Sequence, residues 1–80
     1  MQVTVQFFGH YGDLYTEPLF LSVPENATVR EVVAQLVKQD PRLSRIESHC
    51  RFALDTEYAH LDDKIPPDSL LAVLPPMSGG

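Results

Sequence analysis

The chain has 80 residues, of which 44% are hydrophobic and 21% charged, and it carries a formal net charge of -5. A chain this short buries only about 60% of the surface it exposes when unfolded, which gives one small domain with a single compact core and excludes a deep internal cavity. The acidic balance argues against a nucleic-acid or anionic-membrane partner; no apolar run has transmembrane length, no signal peptide heads the chain, and a lone cysteine permits no internal disulfide, so the expectation is a cytoplasmic protein.

Residues 2–8, QVTVQFF, alternate with the period of a half-buried strand, with Val3, Val5 and Phe7 on one face and Gln2, Thr4, Gln6 and Phe8 on the other. Gly9-His-Tyr-Gly12 breaks the pattern and a loop runs to Pro18. Residues 19–23 form a second strand with Leu19, Leu21 and Val23 inward, stopped by Pro24. Thr28-Val-Arg-Glu31 has the form of a capping box. Val29, Val32, Val33, Leu36 and Val37 follow at helical spacing, and Asp40-Pro41 ends the helix. Its valines are weak helix formers, so this helix depends on burying its apolar stripe.

Residues 42–49 read as a polar connection. Residues 50–54 are a third strand, and residues 57–60 a short fourth, reached by a turn at Asp55-Thr56. Residues 70–74, LLAVL, are the last strand. The order predicts an α+β fold in which one main helix covers one face of a mixed sheet of four to five strands. The expectation is a domain over residues 1–75 and a flexible C-terminal tail over residues 76–80.

The interior offers no catalytic machinery. His10, His49 and His60 are scattered without ligand spacing, and no metal site is expected. Cys50 reads as a small buried hydrophobe, and Asp62-Asp63 as a solvated turn. Gly9-x-x-Gly12 follows a strand but opens no helix and lacks a suitably placed lysine, so it fails as a phosphate loop.

The tail is different. Pro75-Pro76 favours extended polyproline II geometry and so gives the chain a preset direction as it leaves the strand. Met77 and Ser78 lead to Gly79-Gly80, where the absence of Cβ atoms lets backbone enter a narrow channel and the sequence ends in an α-carboxylate. A stiff stalk, a slender tip and a terminal carboxylate suit delivery of that carboxylate into another protein's active site, after activation as an acyl adenylate.

The element order, Val5-Gln-Phe-Phe8 at the start and Leu74-Pro-Pro-Met-Ser-Gly-Gly80 at the end resemble the MoaD family, the small subunits of molybdopterin synthase, which share the β-grasp, ubiquitin-like fold. The resemblance implies that an E1-like enzyme uses ATP to adenylate Gly80 and that a sulfur donor system then converts it to a thiocarboxylate. It implies docking on a large subunit in a heterotetramer, insertion of residues 75–79, and sulfur transfer to cyclic pyranopterin monophosphate. No cofactor is bound permanently on this view; AMP and sulfur sit transiently on Gly80. The family also places apolar docking residues where this sequence has Phe8, Tyr58 and Leu74. Strand parity independently turns Phe8 and Leu74 away from the helix.

Three stretches depart from the family pattern. The loop usually reading Ala-x-x-Arg-Glu is Gly9-His-Tyr-Gly-Asp13, the usual Asn after the third strand is Asp55, and the usual Asp-Gly-Asp turn is replaced by Pro67-Asp68-Ser69. Related alternatives are a sulfur carrier of the thiamine or tungsten-pterin pathway and a ubiquitin-like protein modifier. A plain interaction module with an inert tail is the third.

Overall fold

A computed structural model describes residues 1–76. Strands β1 (Gln2–Phe7), β2 (Leu19–Ser22), β3 (Arg51–Leu54), β4 (Glu57–Ala59) and β5 (Leu70–Leu74) form one sheet in the order β2-β1-β5-β3-β4. β1 and β5 are parallel; the other pairings are antiparallel. Helix α1 (Val29–Gln39) packs on one face, and a short helix α2 (Ile46–His49) follows it. This is the expected β-grasp arrangement.

The strand periodicity becomes the core. Val3, Val5 and Phe7 of β1 and Leu71 and Val73 of β5 are buried against Val29, Val32, Val33 and Leu36 of α1. Val37 lies at the rim of that stripe and is half-buried. The capping box forms: the Glu31 amide donates to Thr28 Oγ1 at 3.2 Å, and the Thr28 amide donates to Glu31 Oε1 at 2.9 Å. Two otherwise unpaired backbone donors are thereby satisfied where the helix starts.

Four strand limits differ from expectation by one residue, two for plain reasons; β1 ends at Phe7 rather than Phe8, although the Phe8 amide still bonds Val73 O at 3.0 Å. β3 begins at Arg51 rather than Cys50, because the Cys50 amide donates to Ile46 O at 3.0 Å and so closes α2. β4 ends at Ala59 rather than His60, because the His60 amide turns to Asp63 Oδ2 at 2.9 Å. β2 ends at Ser22, although the Val23 amide still bonds Met1 O at 2.8 Å. The larger correction is residues 42–49. They are not merely a polar connection: a 3₁₀ turn at Pro41–Leu43 and α2 insert Leu43 and Ile46 fully into the core.

The loop after β1 is also ordered. Gly9–Asp13 is a 3₁₀ turn, followed by Leu14 and Tyr15 amides that both donate to Tyr11 O. Tyr15 stacks on Phe7 with ring centroids 4.9 Å apart, and its hydroxyl donates to the Asp40 carboxylate. The loop is thus fastened to the far end of α1.

Candidate functional site at the root of the C-terminal segment

The outer sheet face is set by strand parity. Cross-strand partners Ala53 and Tyr58, and Ala53 and Ala72, share that face. Leu70 and Leu74 flank Ala72 along β5. At the end of β1 the Phe8 amide donates to Val73 O at 3.0 Å, which carries the β1–β5 ladder one residue further and holds Phe8 extended beside the end of β5.

The result is an open groove of about 320 Å³ lined by Phe8, Ala53, Thr56, Tyr58, Leu70, Ala72 and Leu74. The structure therefore brings Phe8, Tyr58 and Leu74 to one place. Phe8 is 42% exposed and Tyr58 71%, whereas Leu74 is half-buried. Concentrated exposure of large apolar side chains on one face is a partner-site signal, because it leaves apolar area in water that association would remove.

Charge lies at the rim. The Arg51 guanidinium sits 5.2 Å from the centroid of the Tyr58 ring, and Arg51 pairs across the sheet with Leu74. Sequence reading did not assign Arg51 to this site; the available signal was its place two residues before Ala53, on the face opposite Phe52. Phe20, 66% exposed on the edge strand β2, was also passed over. Its register partner Thr4 is in turn paired with Leu70, so one row of the outer face runs from Phe20 to the groove.

Pro75 and Pro76 follow β5 directly and are exposed, beside the Phe8 end of the groove. The predicted tail residues Met77, Ser78, Gly79 and Gly80 lie outside the described residues. Among the described residues, no three His, Cys, Asp or Glu side chains come together as a metal site. Cys50 is half-buried against the core, and burial pushes its thiol pKa up, away from a reactive thiolate. No helix among the described residues is long and apolar enough to cross a membrane.

Comparison with known proteins fits this geometry. A curated protein of Chlamydomonas reinhardtii, named a molybdopterin synthase sulfur carrier subunit, is 30% identical over 84 residues, covering 100% of both chains. The crystal structure of SAMP1 from Haloferax volcanii has a TM-score of 0.83 at 25% identity and covers all of both chains. The fold is also that of a chain in the complex of subunits 1 and 2 of molybdopterin-converting factor from Helicobacter pylori, with a TM-score of 0.70 at 23% identity and full coverage of both. The profile described as the ThiS family matches residues 5–80, nearly the whole domain and the segment beyond it, and the chain belongs to the ThiS family.

Proposed function

We propose that the chain is the sulfur-carrying small subunit of a molybdopterin synthase. The observation that carries this reading is the apolar groove of Phe8, Tyr58 and Leu74 at the root of a Pro-Pro-Met-Ser-Gly-Gly segment. An alignment at 30% identity that spans the whole of a curated molybdopterin synthase sulfur carrier subunit supports it.

In this reading the Gly80 carboxylate attacks the α-phosphorus of ATP on an E1-like enzyme. Pyrophosphate leaves and an acyl adenylate forms. A sulfur donor at the hydrosulfide oxidation level then adds to the acyl carbon and AMP leaves, giving the thiocarboxylate. The outer sheet face docks on the large subunit in a heterotetramer, and residues 75–79 carry Gly80 into its active site. The thiocarboxylate sulfur bonds to a side-chain carbon of cyclic pyranopterin monophosphate as the oxygen held there leaves, and water then cleaves the acyl–sulfur bond, leaving sulfur on the pterin and restoring the carboxylate. The chain supplies no acid or base of its own. Its part is positioning, which alone is worth several kcal/mol of barrier when two reactants are held in line. These steps belong in the cytoplasm.

The test is intact mass. After incubation with the E1-like enzyme, ATP and a sulfur donor, the mass is expected to rise by the difference between sulfur and oxygen. A chain lacking Gly79 and Gly80 should bind the large subunit yet never load. An unchanged mass beside a control carrier that does load would reject this pathway. Adducts on lysines of other proteins would instead identify a ubiquitin-like modifier.

A further inference from the structure

Apart from Gly79 and Gly80, the chain contains two glycines, Gly9 and Gly12, and both lie in the 3₁₀ turn after β1. Because β1 and β5 are parallel neighbours, both strands leave the sheet at the same end. The chain after Phe8 must therefore turn aside at the place where Pro75 emerges. Gly9 makes that turn with φ +64°, in the left-handed region that costs a side chain energy.

The space is as telling as the angle. A Cβ on Gly9 would lie 3.0 Å from Pro75 Cβ and 3.1 Å from Pro75 Cγ. The Gly9 backbone is thus in direct packing contact with the first proline of the stalk. The turn has little freedom to withdraw. A Cβ on Gly12 would lie 3.2 Å from the Phe7 carbonyl oxygen, so the turn already rests on β1. Beyond it, Tyr15 is stacked on Phe7 and bonded to Asp40. Pro75 follows the last residue of β5 and is exposed.

We infer that Gly9 is a positioning residue: the turn Gly9–Asp13 is a fixed rest for Pro75 and sets the direction in which the chain leaves the domain at Pro76. The role in sulfur delivery rests on the function proposed above; the contact and its effect on direction do not. Leverage makes the contact matter. The five residues after Pro75 span up to roughly 17 Å when extended, so whenever they are held extended a displacement of about 0.5 Å over one Cα–Cα step at the root carries to about 2 Å at the tip. A misplacement of about 1 Å can already cost about a hundredfold in rate.

The experiment is a double-mutant cycle on the full chain with Gly9→Asn, Pro75→Gly and the pair. Asparagine tolerates φ > 0, so Gly9→Asn adds the Cβ with little backbone strain. Each carrier is loaded with sulfur, bound to the large subunit and followed through a single turnover, with thermal unfolding and calorimetric affinity measured alongside. Gly9→Asn should slow transfer at least about tenfold with affinity and unfolding midpoint nearly unchanged, and should cost little further in the Pro75→Gly background, where the Cβ it meets is gone. Additive losses, or a wild-type rate in Gly9→Asn, would overturn the assignment. A second arm needs no activity. The Met77 amide residual dipolar coupling, referred to the sheet amides, should change between wild type and Gly9→Asn, and an unchanged coupling also overturns it. If wild type fails to load sulfur while this coupling shifts, the functional reading falls and the positioning role stands.

Discussion

Asp55 and Leu70 hold each other through two hydrogen bonds: the Asp55 amide donates to Leu70 O at 3.0 Å, and the Leu70 amide donates to Asp55 Oδ1 at 2.9 Å. The side chain thus acts as an extra ladder position where β3 ends and β5 begins. Asp55 also has φ +48°, followed by Thr56 at +76°, the signature of the tight turn into β4. Asp55→Asn keeps the acceptor and the tolerance for φ > 0, and should change stability by less than about 0.5 kcal/mol. Asp55→Ala loses both and should cost about 1–3 kcal/mol by urea titration. Equal stability of the two variants would show that the side-chain bond carries no weight.

Asp40 predicts a pH response. Its side chain is 12% exposed, and it accepts from Arg42 through the backbone amide at 3.0 Å and through Nη2 at 2.8 Å, as well as from the Tyr15 hydroxyl. The Arg42 guanidinium first, and then Tyr15, hold the Asp40 carboxyl well below the usual carboxylate range. A depressed folded pKa contributes stability above the unfolded value of about 3.9 and loses it as pH falls through the folded one. Asp40→Asn should therefore be less stable than wild type at pH 7, with the gap closing below about pH 4. Urea midpoints from pH 7 to pH 2 would measure it, and a gap independent of pH would contradict the account.

Ile46 is fully buried, and truncating it leaves a void that the short α2 cannot collapse to fill. Ile46→Ala should cost about 2–5 kcal/mol. At this size that lowers the unfolding midpoint by at least about 8 °C. The neighbouring Glu47→Ala removes only an ion pair to Arg30, 3.0 Å long, between side chains 45% and 50% exposed, and should cost less than about 1 kcal/mol. Calorimetric scans that rank the two the other way would place α2 outside the core.

Phe8→Asp tests docking. The ring is 42% exposed in the free chain, so the substitution should leave the unfolding midpoint within a few degrees of wild type. In the docking proposed above, the carboxylate would lose water beside Tyr58 and Leu74, and binding to the large subunit should weaken by about 2 kcal/mol or more, roughly thirtyfold. Isothermal titration with an unchanged affinity would remove the groove from the interface.

Much of this was legible in the sequence because it is periodic. The alternation of Val3, Val5 and Phe7, the stripe through Val29, Val32, Val33 and Leu36, and the Thr28–Glu31 box each repeat a local rule, and the structure keeps them. Leu43 and Ile46 obey no such rule. They are single apolar residues in a polar run, in helical pieces too short to show a period, and α1 and the sheet decide their burial. At the site, Phe8 and Leu74 were readable from parity, whereas Tyr58 rested on family resemblance and is placed by its pairing with Ala53. The turn at Gly9 looked like an ordinary loop because its meaning lies in Pro75, at the opposite end of the chain.

The position of β5 in the strand order has a mechanical meaning. The strand that carries the C-terminal segment is not at an edge: it is bonded to β1 on one side and to β3 on the other. A pull on Pro76 along the strand axis loads both ladders in shear, so their hydrogen bonds resist together. The same segment hung from β2 or β4 would peel its strand away one bond at a time. Under the function proposed above, an enzyme drawing this segment into a channel would load the sheet in the direction in which it resists best.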